Sequence, residues 1–310
     1  MKGSSARFFR RFSSESLFHE RMSRPTQLWL LGVGIAVLGY DVYYHHYLRT
    51  PHIKALDPSD FNPFTLYDIV PVNHDTSLFR FKARVLQCDH GQSVDAPSHV
   101  IIKDDSCQIA RPYTPIHFDK ESVDILVKKY PDGSVSRMLH AQSIGDQIYM
   151  RGPLLSCHYR PNCTPHLCMM AAGTGITPMY QLLKSILANQ EDTTQLQLFY
   201  ANKSVQDILL FRELQALQEK FPSRLKIHYT VEQLEDPSVI EDVQMDVGRL
   251  KLNQLREQLP NEVDKCAVLV CGPDGFIHSV AGPKSENGDQ AELGGMLKQL
   301  GFQAHQVFKL

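Results

Sequence analysis

Residues 167–190 read LCMMAAGTGITPMYQLLKSILANQ, and this stretch decides the fold. Leu167 to Ala172 is a short apolar run that closes on small residues, as an interior strand does. Gly173-Thr174-Gly175 follows at once, and Ile176-Thr177-Pro178 then opens an amphipathic segment with proline in its first turn. Strand, glycine turn and helix in that order suit a parallel sheet covered by helices. The glycines would let a bound group come close to the main chain. The pattern is G-x-G-x-x-P, not the full dinucleotide fingerprint, and the same turn starts a helix in any α/β protein.

Downstream the alternation continues. QLQLFYAN (195–202) reads as a strand, and DILLFRELQALQEKF (207–221) as a helix with apolar spacing at Leu210, Leu214 and Leu217. RLKIHYTV (224–231) is a strand, RLKLNQLREQL (249–259) a helix and AVLVCGP (267–273) a strand. The expectation is an α/β, doubly wound parallel sheet over residues 158–310. Cys271-Gly272-Pro273 ends its last clear strand. Ligands bind at the carboxyl ends of strands in such sheets, so Cys271 is expected to face a site. The plainer reading is a small buried hydrophobe.

Upstream the texture is different. LYDIVPV, SLFRFKARVL, SHVIIK, VDILVKKY and QIYMRGP all read as strands, separated by Asn73-His74-Asp75, Asp89-His90-Gly91 and Pro131-Asp132-Gly133. Short strands at this spacing predict an antiparallel β-barrel over residues 64–157. Two of its segments could carry chemistry. Arg111-Pro112-Tyr113-Thr114-Pro115 is either a proline-bounded strand end or a flavin edge. In the second reading the guanidinium pairs with pyrophosphate, the ring stacks on isoalloxazine and the hydroxyl bonds a ring nitrogen. Gly133-Ser134-Val135-Ser136 is a turn running into a helix start, and free N–H groups there make the same place a phosphate site.

The first residues stand apart. Residues 1–27 hold Lys2, Arg7, Arg10, Arg11, Arg21 and Arg24 against Glu15 and Glu20, a composition that suits a targeting leader or a membrane-surface segment. Residues 28–44, LWLLGVGIAVLGY and then Asp41 to Tyr44, are expected to anchor the chain in a membrane. Trp29 and Tyr40, Tyr43 and Tyr44 would form the aromatic belt, although the apolar run is short of the usual span of about 20 residues. A linker with Pro51, Pro58 and Pro63 covers residues 45–63.

Composition narrows the function. The net charge of −2 gives no global basic field for nucleic acid. The seven cysteines include no C-x-x-C, which favours free thiols. Cys157-His158, Cys163, His166 and Cys168 fit no usual zinc spacing, so no metal is expected. No hydrolytic triad or carboxylate pair stands out.

These motifs in this order resemble the NADH–cytochrome b5 reductase family, of the ferredoxin–NADP reductase type, from about Leu56 to Leu310. The chain looks closest to the membrane-anchored fungal members, whose ends resemble its DQAEL, LKQLGF and QVFKL segments. The resemblance implies FAD and NADH as cofactors and an endoplasmic reticulum or mitochondrial membrane as location. It implies hydride transfer from NADH to FAD and then single electrons to a haem protein such as cytochrome b5. Arg111, Pro112, Tyr113 and Thr114 match the flavin motif, with Thr114 near the flavin N5. Leu126 and Lys128 match a strand along the FAD, and Gly133, Ser134, Val135 and Ser136 its pyrophosphate loop. Gly173, Thr174 and Gly175 match the dinucleotide loop, and Thr177 a threonine against the isoalloxazine. Cys271, Gly272 and Pro273 match the motif that brings a cysteine to the nicotinamide, so Thr114 and Cys271 are the catalytic candidates. Glu232 sits where members preferring NADH carry an acid that bonds a ribose hydroxyl and repels a 2′-phosphate.

The sequence departs from the family at Ala172, where glycine is usual, at Asp274-Gly275, and in the loop Leu155 to His166. Three rival readings follow. The acceptor could be a quinone or another haem protein. The chain could be a non-catalytic flavoprotein, or an unrelated barrel and nucleotide-binding sheet without flavin.

Overall fold

The computed structural model describes residues 56–83, 97–103, 109–118, 122–234, 244–284 and 290–310. The expected leader, the 28–44 anchor and residues 45–55 of the linker lie outside them. No helix among the described residues is long and apolar enough to cross a membrane.

The first half is a rolled seven-stranded antiparallel sheet. Its strands are β1 (Asn62–Pro71), β2 (Thr76–Ala83), β3 (Ser98–Lys103), β4 (Ala110–Tyr113), β5 (His117–Phe118), β6 (Ser122–Lys128) and β7 (Gln147–Leu155), in the order β4-β3-β7-β1-β2-β6-β5. Alternation puts Phe64, Leu66, Phe79, Phe81, Ile102, Ile125 and Met150 inside. The short helix α1 (Ser134–His140) closes this core with Val135 and Leu139. The two edge strands, β4 and β5, are joined by Thr114–Ile116, so the roll brings its edges together at the candidate flavin motif.

The second half is a six-stranded parallel sheet in the order β11-β10-β9-β8-β12-β13. Its strands are β8 (His166–Ala172), β9 (Gln195–Asn202), β10 (Leu225–Val231), β11 (Met245–Val247), β12 (Cys266–Cys271) and β13 (Val307–Lys309). Helices α2 (Ile176–Ala188) and α3 (Phe211–Lys220) cover one face; α4 (Leu252–Gln258), α5 (Asp274–Ala281) and α6 (Gly295–Gln299) cover the other. Within β8, Leu167, Met169 and Ala171 join the first core and Cys168 and Met170 the second, which is why that run is apolar throughout.

The helix expected from Asp207 begins only at Phe211. Asp207 is buried and accepts bonds from the Ser204 amide (3.2 Å) and hydroxyl (2.9 Å). Ile208 and Leu209 then enter the core, and Leu210 takes a positive φ of 57° to redirect the chain into α3.

The halves belong to one compact unit, Ile53–Leu310. Gln181 on α2 ties them: its Oε1 accepts the Ser98 amide at 2.6 Å and its Nε2 donates to the Pro115 carbonyl at 3.3 Å.

Candidate functional site

The order of the parallel sheet reverses between β8 and β12, and a ligand crevice is expected outside their carboxyl ends. Both glycine-bearing turns of the sequence lie there. Gly173–Gly175 leaves β8 and Cys271-Gly272-Pro273 leaves β12. The two turns touch: a Cβ on Gly175 would overlap the Cys271 carbonyl and sit 2.8 Å from the Gly272 nitrogen. A Cβ on Gly272 would in turn come within 3.0 Å of the Ala172 Cβ. The bare Gly272 therefore makes room for Ala172, one of the departures noted in the sequence. Thr177 is buried, and its hydroxyl donates to the Thr174 carbonyl at 3.1 Å; Tyr200 donates to the Gly173 carbonyl at 3.0 Å. These bonds fix the glycine turn from both sides.

Across from it lies the β4 edge of the barrel. Arg111 is exposed, with Nη1 2.9 Å from the Ala110 carbonyl. Pro112 is exposed beside it, and Tyr113 and Thr114 are half-buried. Burial pushes the Tyr113 hydroxyl up to about 12, against the Arg111 charge that pulls it down; Tyr130 adds to the rise. Tyr130 connects three segments. Its electrostatic influence reaches Tyr113, and its hydroxyl is 3.4 Å from Thr174 Oγ1. Its amide donates to Ser136 Oγ (3.2 Å), and its carbonyl accepts from the Gly133 amide (3.1 Å). Gly133 caps α1 with no side-chain bond, so Ser134, Val135 and Ser136 present the first turn of that helix. Tyr130 was not among the sequence candidates. No local motif marks it, because its partners come from residues 113, 133–136 and 174.

Leu126 and Lys128 lie on β6, facing the second half. Leu126 is 5% exposed and belongs to the core of the parallel sheet, unlike its neighbours Ile125 and Val127. Lys128 Nζ is 2.8 Å from Asp75 Oδ2 and 3.2 Å from Asp207 Oδ1, joining both halves. Burial alone would lower the Lys128 ammonium; the hydrogen bonds and charges of the two carboxylates outweigh it and raise its pKa. Asp207 mirrors this. Burial would raise it, but bonds from Ser204 and Lys128 and the charges of Lys128 and His74 hold it below the usual carboxylate value. His74, Asp75 and Asp207 could in principle converge on a cation, and the Lys128 ammonium fills that place.

The dissimilar loop Leu155 to His166 folds onto the second half. The Tyr159 hydroxyl lies 2.8 Å from Asp192 Oδ2 and 3.0 Å from Thr194 Oγ1. Thr164 Oγ1 donates to the Lys265 carbonyl at 2.9 Å. Cys271 is half-buried, and burial pushes its thiol up to about 11, with the Lys284 charge and the Gly272 amide opposing. It is a neutral thiol near pH 7. Glu232 is at the carboxyl end of β10, two strands from β8, and its Oε1 accepts from Arg249 Nε at 3.1 Å. Arg249 was also not singled out from the sequence.

The donor set suits FAD. An exposed guanidinium, a partly buried tyrosine ring and an uncapped helix start line the barrel side of the junction. The Tyr130–Thr174 contact brings the dinucleotide turn against them. Comparison with known proteins agrees. Residues 63–159 match the family described as Oxidoreductase FAD-binding domain, and residues 169–282 match Oxidoreductase NAD-binding domain. The chain is an FAD- and NADH-dependent oxidoreductase. An NADH-cytochrome b5 reductase 2 of Aspergillus terreus is 33% identical over 97% of this chain and 95% of its own. An Arabidopsis thaliana NADH-cytochrome b5 reductase-like protein is 37% identical over 82% of this chain and 78% of its own. The cytochrome b5 reductase domain of Ulva prolifera nitrate reductase superposes with a TM-score of 0.68 at 28% identity, covering 83% of this chain and 99% of that domain. The chain belongs to the NADH–cytochrome b5 reductase family.

Proposed function

We propose that this enzyme is held at a membrane by residues 28–44 and passes electrons singly to a haem protein, cytochrome b5 above all. The observation behind the electron-transfer part of the reading is the Tyr130–Thr174 contact, which brings the α1 start against the dinucleotide turn; the membrane part comes from the apolar run 28–44 in the sequence. Bound FAD supplies the coupling between a two-electron donor and a one-electron acceptor.

The chain's own groups bind and orient. Arg111 and the first turn of α1, residues Gly133 to Ser136, hold the diphosphate. Tyr113 covers the ring system and Thr114 bonds its edge. Gly173, Thr174 and Gly175 receive the dinucleotide, Thr177 supports that turn, and Cys271, Gly272 and Pro273 pack beside the nicotinamide. Glu232 bonds an adenosine ribose hydroxyl. Leu126 and Lys128 act from behind by fixing how the halves meet. Hydride transfer needs no protein base, and burial keeps Tyr113 and Cys271 protonated near neutrality.

Tethering suits an acceptor confined to the same bilayer, because it raises the effective concentration of each partner for the other. The relatives' names support cytochrome b5 as acceptor. Anaerobic stopped flow tests this with the NADH-reduced full-length enzyme in vesicles, against membrane-bound cytochrome b5 and a quinone. Fast haem reduction that slows when residues 1–55 are removed is expected. Quinone reduction with no haem reduction would assign the other acceptor.

A further inference from the structure

β13 lies parallel to β12 with Lys309 opposite Val270, and the Leu310 amide donates to the Val270 carbonyl at 2.8 Å. Lys309 therefore stands one residue short of the level of Cys271. It is 5% exposed and shares the buried side of β13 with Val307, on the face that α5 and α6 cover. A lysine ammonium has three N–H donors. Lys309 Nζ places them on the carbonyls of Pro283 (2.7 Å), Glu292 (3.1 Å) and Ala291 (3.3 Å). Pro283 follows α5, and Ala291 and Glu292 precede α6, so one ammonium gathers both ends of the connection between these helices. Gln290 grips the main chain of the same residue: its Oε1 accepts the Lys309 amide at 2.8 Å and its Nε2 donates to the Lys309 carbonyl at 2.9 Å. Burial disfavours the charge and lowers the Lys309 pKa, and the Lys284 charge lowers it further. An apolar side chain here would leave three carbonyls without this donor. The knot bears on the site from two directions. α5 starts at Asp274, directly after Cys271-Gly272-Pro273, and ends at Ala281, just before the residues that Lys309 holds. Lys284, next to Pro283, donates to the Leu310 main-chain oxygen, and its charge acts on the Cys271 thiol.

We propose that Lys309 is a positioning residue for hydride transfer: by tying residues 283 and 291–292 to β13 it fixes the far end of α5, and so holds the Cys271-Gly272-Pro273 turn at the height the nicotinamide needs. The inference rests on the reading of Cys271 beside the nicotinamide. Lys309 touches neither cofactor and moves no proton. Its effect is on the approach of nicotinamide C4 to the flavin N5, which has to reach about 3–3.5 Å.

The test compares the FAD-loaded full chain with K309M, K309Q and C271A. Anaerobic stopped flow gives the rate of flavin bleaching at saturating NADH and, from its concentration dependence, the Kd for NADH. The same rate with NADH deuterated at C4 gives the primary isotope effect, followed over a range of temperature. Misplacement by about 1 Å can cost on the order of a hundredfold, so a partial shift in K309M is expected to slow bleaching about tenfold. The Kd should change much less than the rate, and the isotope effect should become more dependent on temperature. K309Q keeps two N–H donors for the carbonyls and should retain more of the rate; it also carries the test if K309M does not hold FAD. C271A should alter the Kd or the isotope effect, as a residue in contact with the nicotinamide does. If the Lys309 variants lower Tm but bleach at the wild-type rate with the wild-type isotope effect, Lys309 is structural only and the proposal is overturned, while a response of C271A keeps Cys271 in its place. If C271A changes neither rate, Kd nor isotope effect, the reading of Cys271 fails and the proposal falls with it.

Discussion

Replacing Lys128 with Met keeps most of the unbranched side chain and removes the cation that joins the halves. Asp75 and Asp207 then face one another without it. Both oxygens lie within hydrogen-bond reach of one nitrogen, so they are at most about 6 Å apart. At an effective dielectric of about 20, two charges at that distance repel by roughly 3 kcal/mol. The side chains are not fully sealed, at 19%, 24% and 9% exposure for Lys128, Asp75 and Asp207, and water and His74 absorb part of this. A net loss of about 2 kcal/mol remains, which for a unit of this size is roughly 4–8 °C in Tm. Differential scanning calorimetry at low salt with saturating FAD reads it. Adding Asp207→Asn should recover at least half the loss, because it removes the unpaired charge. The pH dependence has a definite sign. Asp207 is held below its unfolded value of about 3.9, so its contribution is complete above that pH and is lost as pH falls through the lower folded value. Lys128 is raised, so its contribution is complete below about 10.4 and is lost as pH rises through the higher folded value. The gap between wild type and Lys128→Met should close as pH falls through the carboxylate range and as it rises past about 10.4. A Tm within about 1 °C of wild type at pH 7, or a gap that peaks at pH 4, would refute the reasoning.

Gly175→Ala places a methyl group on the Cys271 carbonyl, which no rotamer change can clear. About 2–3 kcal/mol should be lost in urea unfolding, together with NAD+ affinity, and a variant of wild-type stability contradicts the contact. Leu126→Ala empties a site in the second core from a strand of the first half. A loss of about 2–4 kcal/mol is expected, whereas a change below about 1 kcal/mol would mean that Leu126 does not bind the halves together. With its thiol pushed up to about 11, Cys271 should be alkylated by iodoacetamide slowly at neutral pH, at a rate that climbs about tenfold per pH unit and levels only near pH 11. Site-resolved mass spectrometry measures this, with the exposed Cys163 as internal comparison; rapid labelling at pH 7 would show a thiolate.

What could be read from the sequence was local. The run from Leu167 through Gly173-Thr174-Gly175 into Ile176 carries its strand, turn and helix signals within a dozen residues, and the structure follows it. The alternation of β1, β2 and β3 was equally visible. Long-range roles were not. Lys128 meets Asp207 across 79 positions, and nothing near either residue announces the other. Leu126 sits in the run Ile125-Leu126-Val127, whose uniform hydrophobicity hides that alternate side chains enter different cores. The start of α3 was misplaced because Leu210 fits the helical period, yet Asp207 is spent on capping Ser204 and Ile208 and Leu209 on the core. Glu232 was legible as an acid after a strand. Its ion pair with Arg249 was not, since it depends on the pairing of β10 with β11 and on the turn at Gly248.

Tyr130 shows why the candidate site itself was only half visible. The flavin motif, the α1 start and the glycine turn could each be picked out as short strings, but each also has an ordinary structural meaning. Their joint meaning comes from one tyrosine that bonds the α1 segment through its main chain, meets Thr174 through its hydroxyl and bears on Tyr113 electrostatically. The same arrangement keeps its hydroxyl and thiol groups uncharged. Burial keeps Tyr113 and Cys271 protonated, and Thr177 spends its hydroxyl on the Thr174 carbonyl. A centre that moves hydride gains from orientation and from neutral surroundings, not from proton relays. Arg111 is at an exposed position where the diphosphate would lie, and Lys128 is at the seam that ties the halves together.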